Sequence, residues 1–155
     1  MTAAALPGWP TLVDAASAPY RRAGRFAWHF ARGKLRSDPV FRHLLEAGLI
    51  APQARVLDLG CGQGLLASLL HGGAQLEHEG RWPAGWAAAP LGVRVTGIEL
   101  MAREVGRARA ALDGAADFVC GDLRALPFPE ADVVVLLERI AAAGLRPVTL
   151  PEAVA

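Results

Sequence analysis

"VLDLGCGQGLLASLL", Val56 to Leu70, places three glycines within five residues, between two apolar runs of different spacing. The first run, within "ARVLDLG" (54–60), is short, apolar and bounded by glycine, which predicts a strand. The second, "QGLLASLLHG", has the spacing of a helix that ends at Gly72 or Gly73. Each glycine between them costs about 0.5–1 kcal/mol relative to alanine, but it reaches positive φ and lets a ligand approach the backbone. Three together predict a chain that curls closely around something. A tight strand-to-helix turn that needs only one or two glycines is the competing reading.

The same grammar continues outward. "VRVTGIEL" (93–100) predicts a second strand and "MAREVGRARAALDG" a helix stopped by Gly114. "ADFVCGD" (116–122) and "ADVVVLLE" (131–138) predict a third and a fourth strand. Alternating strand and helix point to an α/β domain with a parallel sheet. Right-handed crossovers would then put a ligand at the carboxyl ends of the strands. Towards the N-terminus, residues 18–33 and 39–47 predict two helices. The second has Ser37 or Asp38 as N-cap, Pro39 in the first helical position and Gly48 as its stop. Residues 1–17 are small and rich in alanine and proline, and read as a flexible arm.

Bulk properties bound the function. The 155 residues are 53% hydrophobic and 20% charged, which excludes general disorder, and the formal net charge is +1. No global field favours nucleic acid or a membrane, and no apolar run approaches the roughly 20 residues of a spanning helix. The first ten residues lack a basic n-region, so a cytoplasmic location is expected. Cys61 and Cys120 are then expected to be free thiols.

The turn has a specific chemistry. Asp58, Gly60, Gly62 and Gly64 form D-x-G-x-G-x-G between strand and helix. A dinucleotide fingerprint, G-x-G-x-x-G, is the rival. Counted from Gly60, its third glycine would fall on Leu65; counted from Gly62, it would fall on Ala67, a tolerated residue, so that register stays open. Asp58 argues against it, because a carboxylate beside the turn would repel a pyrophosphate and suits a cationic ligand. Cys61 reads as a small residue filling a tight loop.

At this point the residues carry a resemblance. "VLDLGCGQG" resembles the first motif of class I S-adenosylmethionine-dependent methyltransferases. "VTGIEL" resembles their second strand, "FVCGDLRALPF" the third strand with its following loop, and "ADVVVLLE" the fourth. The resemblance covers about residues 54–138. It implies a Rossmann-like sheet of about four strands in the order 3-2-1-4, with S-adenosylmethionine as cofactor. It further implies that Glu99 bonds the ribose hydroxyls, that Asp122 meets the adenine amino group with Leu123 near the ring, and that Asp58, Gly60, Cys61, Gly62, Gly64 and Leu100 complete the cofactor site. A carboxylate accepting from a sugar hydroxyl is worth about 1.5–3 kcal/mol. Glu138, at the end of the fourth strand, is the catalytic candidate that the resemblance suggests; a solvated or helix-starting glutamate is the competing reading.

The sequence departs from that pattern in three places. Glu99 follows Asp58 by 41 positions, whereas such an acid usually follows the glycine turn by about 20. The excess is assigned to an inserted loop at 72–92, where Trp82 and Trp86 read as packing anchors or as an entrance, with packing favoured. His71, Glu77, His78 and Glu79 in that loop have no metal-ligand spacing and read as solvated. The N-terminal helices carry seven basic residues from Arg21 to Arg42 among the aromatics Phe26, Trp28 and Phe30. Their bland reading is a solvated face with half-buried rings. Their sharper reading is a helical cap over 18–50 that forms a lid over the cofactor and whose basic face docks an anionic partner, such as an acidic carrier protein bearing the substrate.

The sheet domain proper is read at 51–140 and an atypical tail at 141–155. Against the seven-stranded sheet that the resemblance implies, the fold is expected to be incomplete, as in a truncated or frameshifted chain. Its fourth strand would offer an exposed edge through which a homodimer could form. Two functions are carried forward: methyl transfer to a small-molecule or carrier-bound acceptor, and a cofactor-binding remnant without activity. A dehydrogenase is a distant third.

Overall fold

The computed structural model describes residues 8–137. Four parallel strands run β1 (Arg55–Leu59), β2 (Arg94–Glu99), β3 (Asp117–Cys120) and β4 (Val133–Val135), paired in the order β3-β2-β1-β4. This is the α/β sheet and the 3-2-1-4 order expected from the sequence. The register sets Asp58 beside Gly97 and Val135, and Glu99 beside Cys120. The functional ends of β1 and β2 therefore lie next to each other, and β1 borders the point, between β1 and β4, where the strand order reverses.

Five α-helices accompany the sheet: α1 (Trp9–Ser17), α2 (Arg25–Ser37), α3 (Pro39–Glu46), α4 (Leu65–His78) and α5 (Ala102–Ala111). The N-terminal segment needs correction. Residues 9–17 form no flexible arm within the described chain, because α1 begins with Pro10 in its first turn and buries Leu12, Val13, Ala16 and Ser17. Proline tolerates that position since the amide it lacks would have no helical partner. The helix expected over 18–33 is divided. A 3-10 helix at Ala18–Ala23 ends at Gly24, whose φ is 113°, and α2 starts afresh from there. Asp38 caps α3 by accepting from the Val40 amide at 3.1 Å.

The inserted segment is also shorter than its sequence suggests. Gly72 and Gly73 do not stop α4, which continues to His78. A Cβ on Gly72 would lie 3.0 Å from the Ala16 nitrogen, so the glycine is where α1 crosses α4 at backbone distance. Ser68 Oγ donates to the Ala16 carbonyl at 2.8 Å in the same crossing. Trp82 packs over Gly73, donates from Nε1 to the Ala87 carbonyl at 3.0 Å and meets Trp86 edge-on. Trp86 in turn touches Trp9. Both tryptophans are thus packing anchors. His71, Glu77, His78 and Glu79 are exposed, and the Glu79 carboxylate is held below its usual range by Gln75 and Arg81. Among the described residues no helix is long and apolar enough to cross a membrane. Cys61 and Cys120 are free.

Candidate functional site

β1 ends at Leu59, and the chain turns through Gly60, Gly62 and Gly64 with φ of 69°, 57° and 86°. Non-glycine residues pay roughly 1–2 kcal/mol in that region. The turn leans on the end of β2, since the Gly60 and Cys61 amides both donate to the Ile98 carbonyl at 2.8 and 3.1 Å. The three glycines then divide into two roles. A Cβ on Gly60 or Gly62 would meet nothing within 4 Å, so these two open onto empty space. A Cβ on Gly64 would lie 2.8 Å from Phe118 Cζ, so this one lets α4 approach β3 and the ring on it. Of the cofactor residues expected from the sequence, Gly64 is a packing residue that lines neither cavity described below.

Glu99 is the hinge of the site. It is 3% exposed, its Oε2 accepts from the Gly62 amide at 2.9 Å, and its Oε1 accepts from the Met101 amide at 3.1 Å. Charge-assisted bonds of this kind are among the stronger ones in a protein. Two cavities meet at Gly60 and Glu99. The first holds Asp58, Cys61 and Gly62 on its polar floor, with Phe26, Phe30 and Phe41 on the facing wall. The second is lined by Ile98, Leu100, Asp122, Leu123 and Arg124. Asp58, 3% exposed, brings a second buried carboxylate to the first cavity. The structure therefore collects Asp58, Gly60, Cys61, Gly62, Glu99, Leu100, Asp122 and Leu123 around one continuous cleft. Glu138 lies outside the described residues.

The electrostatics assign the groups different tasks. Burial, and then the Asp58 and Glu99 carboxylates, push the Cys61 thiol up, so it stays protonated and has no nucleophilic role. Burial likewise pushes the Tyr20 phenol up, and its hydroxyl donates to the Gln63 carbonyl at 2.8 Å. The Asp122 carboxyl is held down to about 2 by its hydrogen bonds to Arg124, whose Nη2 lies at 2.7 Å and whose amide lies at 2.9 Å. Asp122 thus faces the second cavity as an anion that already has an exposed partner. A ligand amino group would compete with an arginine for it, and exposed pairs of this kind yield readily.

Several cavity residues were not among the cofactor or catalytic residues expected from the sequence. Phe26 and Phe30 of α2 and Phe41 of α3 face the glycine turn, and Arg103, Glu104 and Arg107 of α5 close the same side. Their signal was the aromatic-basic text of residues 18–47, which does not reveal which rings turn towards solvent. Gln63 is 1% exposed and joins the turn to α2 through Nε2 and the Ala27 carbonyl at 2.8 Å. Its Oε1 has no hydrogen-bond partner among the described residues.

Comparison with known proteins adds to this geometry. A family model described as a methyltransferase domain matches residues 79–147. The match begins beyond the glycine turn, so it bears on β2, α5, β3 and β4. No curated protein matches the chain. Among solved structures, an RNA methyltransferase from Salinibacter ruber, in complex with S-adenosyl-L-homocysteine, is 26% identical over 64% of this chain and 57% of its own, with a TM-score of 0.45. A TehB-like SAM-dependent methyltransferase from Corynebacterium glutamicum is 20% identical over 79% and 58%, with a TM-score of 0.48. A SAM-dependent methyltransferase from Thiobacillus denitrificans, also with S-adenosyl-L-homocysteine, is 23% identical over 64% and 36%, with a TM-score of 0.43. The chain thus spans little more than half the length of the first two.

Proposed function

We propose that the chain, whose residues 79–147 match a methyltransferase-domain model and whose sheet has the order β3-β2-β1-β4, binds S-adenosylmethionine in the cleft at Gly60 and Glu99 and transfers its methyl group to a small-molecule acceptor. The observation that carries this reading is the Glu99 carboxylate, buried between the Gly62 and Met101 amides at the junction of the two cavities. An adenosine with a charged amino-acid arm needs two adjoining compartments, and a sugar between them would meet Glu99. The residues present fit that ligand. Asp58 and Glu99 make the first cavity suited to a cation, Gly60 and Gly62 leave their backbone open to close approach, and Leu100 and Leu123 give the second cavity apolar walls. A pyrophosphate would meet two buried carboxylates there, which disfavours a nicotinamide dinucleotide.

The cofactor supplies a methyl group on a sulfonium, which leaves as a neutral thioether when an acceptor lone pair takes the methyl and the acceptor's proton passes to solvent. The protein's task is then chiefly positioning, worth several kcal/mol when reacting atoms are held in line. Gly60 and Gly62 admit the ligand to backbone distance. Glu99 fixes the turn and offers its oxygens to hydroxyls, and the protonated Cys61 keeps the floor inert.

A free small molecule is favoured over one presented by an acidic carrier. Arg22 donates to the Ala111 carbonyl, Arg32 pairs with Asp14, Lys34 with Asp38 and Arg42 with Glu46, and Arg21 lies over the Trp28 ring, so five of the seven basic residues have internal partners. Titration calorimetry with S-adenosylmethionine and S-adenosylhomocysteine tests the reading. Binding is expected, and no heat at about 1 mM ligand would defeat it. Binding without transfer to any acceptor would leave the cofactor-binding module as the function.

A further inference from the structure

The wall opposite the glycine turn has an unusual composition. Phe26 and Phe30 lie one helical turn apart on α2, with ring centroids 6.3 Å apart and planes 16° from parallel. The opposite side of the helix buries Ala27, Ala31 and Leu35, yet Phe26 is 65% and Phe30 41% exposed. Large apolar side chains left open on the wall of a cavity, beside convergent polar groups, mark a ligand surface. The Arg107 guanidinium sits 4.8 Å from the Phe26 centroid and is itself fixed by Glu104 at 2.8 Å, so the first ring is held in place from the α5 side. The cavity therefore has two chemistries. Its floor, Asp58 with Gly62 and Glu99, suits a polar cation, and its wall, Phe26 with Phe30 and Phe41, suits an apolar body. The charged arm of the cofactor would engage the floor and leave the exposed rings of the wall open to a second ligand.

Resting on the methyl-transfer reading, we propose that the Phe26–Phe30 pair is the platform for the methyl acceptor, and that the acceptor is a planar, apolar molecule, an aromatic ring bearing its nucleophile. Stacking of planar rings adds to the burial of apolar area and discriminates against non-planar molecules of similar hydrophobicity. A protein partner would fit a flat surface better than this recess, which is continuous with the floor that holds the cofactor.

The test is calorimetry on the chain saturated with S-adenosylhomocysteine, with 2-naphthol as planar probe and decahydro-2-naphthol, which has the same carbon skeleton, as non-planar probe. The expected result is that 2-naphthol binds about tenfold more tightly than decahydro-2-naphthol. The variant Phe26→Leu/Phe30→Leu keeps the wall apolar but not planar, and it should remove that preference while S-adenosylhomocysteine affinity changes less than about twofold. Equal affinity of the two probes for the parent chain overturns the proposal, and so does an undiminished preference in the variant. A parallel fall in S-adenosylhomocysteine affinity also overturns it, because the rings would then cover the cofactor. Failure of the parent chain to bind S-adenosylhomocysteine defeats the methyl-transfer reading instead. Thermal unfolding of the variant, expected to match the parent because both rings are exposed, confirms that the comparison is made on folded protein.

Discussion

The Glu99 carboxylate and the Gly62 amide, 2.9 Å apart, fasten the last residue of one strand to the middle of the turn that follows its neighbour. The bond keeps the glycine turn in shape and at the same time orients an acid into the cleft. Glu99→Gln replaces one acceptor oxygen with an NH2, which opposes either the Gly62 or the Met101 amide. The expected cost is about 1–3 kcal/mol, the penalty for a buried donor left unpaired, together with weaker S-adenosylhomocysteine binding. Urea unfolding and calorimetry measure the two effects, and an unchanged unfolding midpoint would contradict the assignment.

Gly64→Ala and Gly60→Ala should separate packing from binding. At Gly64 the new methyl meets the Phe118 ring at 2.8 Å, in addition to a φ of 86°. Overpacking of that kind costs about 1–3 kcal/mol. At Gly60 nothing lies within 4 Å, so only the backbone penalty of roughly 1–2 kcal/mol applies. Denaturant unfolding should therefore rank Gly64→Ala as the less stable. Ligand affinity should rank the other way, because Gly60 borders both cavities.

Tyr20→Phe removes the hydroxyl that links the 3-10 helix to the Gln63 carbonyl in the glycine turn. Tyr20 is completely buried, so no water replaces the donor. A loss of about 1 kcal/mol is expected, read from the shift in urea midpoint. No change would show that the turn does not depend on the N-terminal helices.

Acid should loosen the sheet at β4. Arg55 at the start of β1 holds the Asp132 carboxylate through Nη2 at 2.9 Å and through its amide at 2.8 Å, and this lowers the Asp132 carboxyl to about 2. A carboxyl depressed in the folded state contributes stability above its unfolded value, about 3.9, and loses that contribution as pH falls towards its folded value. The melting temperature is therefore expected to drop between about pH 4 and pH 2. In Asp132→Asn that part of the drop should be smaller, and added salt should reduce the difference because the pair is exposed. Parallel melting curves of the two proteins across that pH range would refute it.

Much of the fold was legible because its signals are local. Glycine-bounded apolar runs gave the four strands to within a few residues, their alternation with helices gave a parallel α/β sheet, and the family resemblance implied its order. The resemblance picked out Asp58, Glu99 and Asp122, and the parallel sheet brings all three to the same end, where they line the two cavities. Apart from the break at Gly24, the misreadings involve residues whose role depends on distant neighbours. Gly72 and Gly73 look like a helix stop, yet they lie inside α4, where α1 and Trp82 need the space. The small residues before Ala18 look like a loose arm until α1 is seen to lie against Gly72, with Pro10 as an overlooked start signal. Gly64 reads like its two neighbours in sequence and differs from them through Phe118 and Ala108, which a Cβ there would meet. Nor could the text of α2 tell that Ala27 and Ala31 face inward while the larger Phe26 and Phe30 face the cleft.

The crossing of α1 over α4 at Gly72 bears on how the chain can be divided. An excision at residue 50 would look natural, because the helical text ends there and the strand text begins. It would strip α4 of the backbone that fits its glycine notch and leave the Ser68 hydroxyl without the Ala16 carbonyl. The sheet fragment would then carry a groove shaped for a helix it no longer owned, and a natural relative bearing a bulkier residue at position 72 would have to carry its first helix elsewhere.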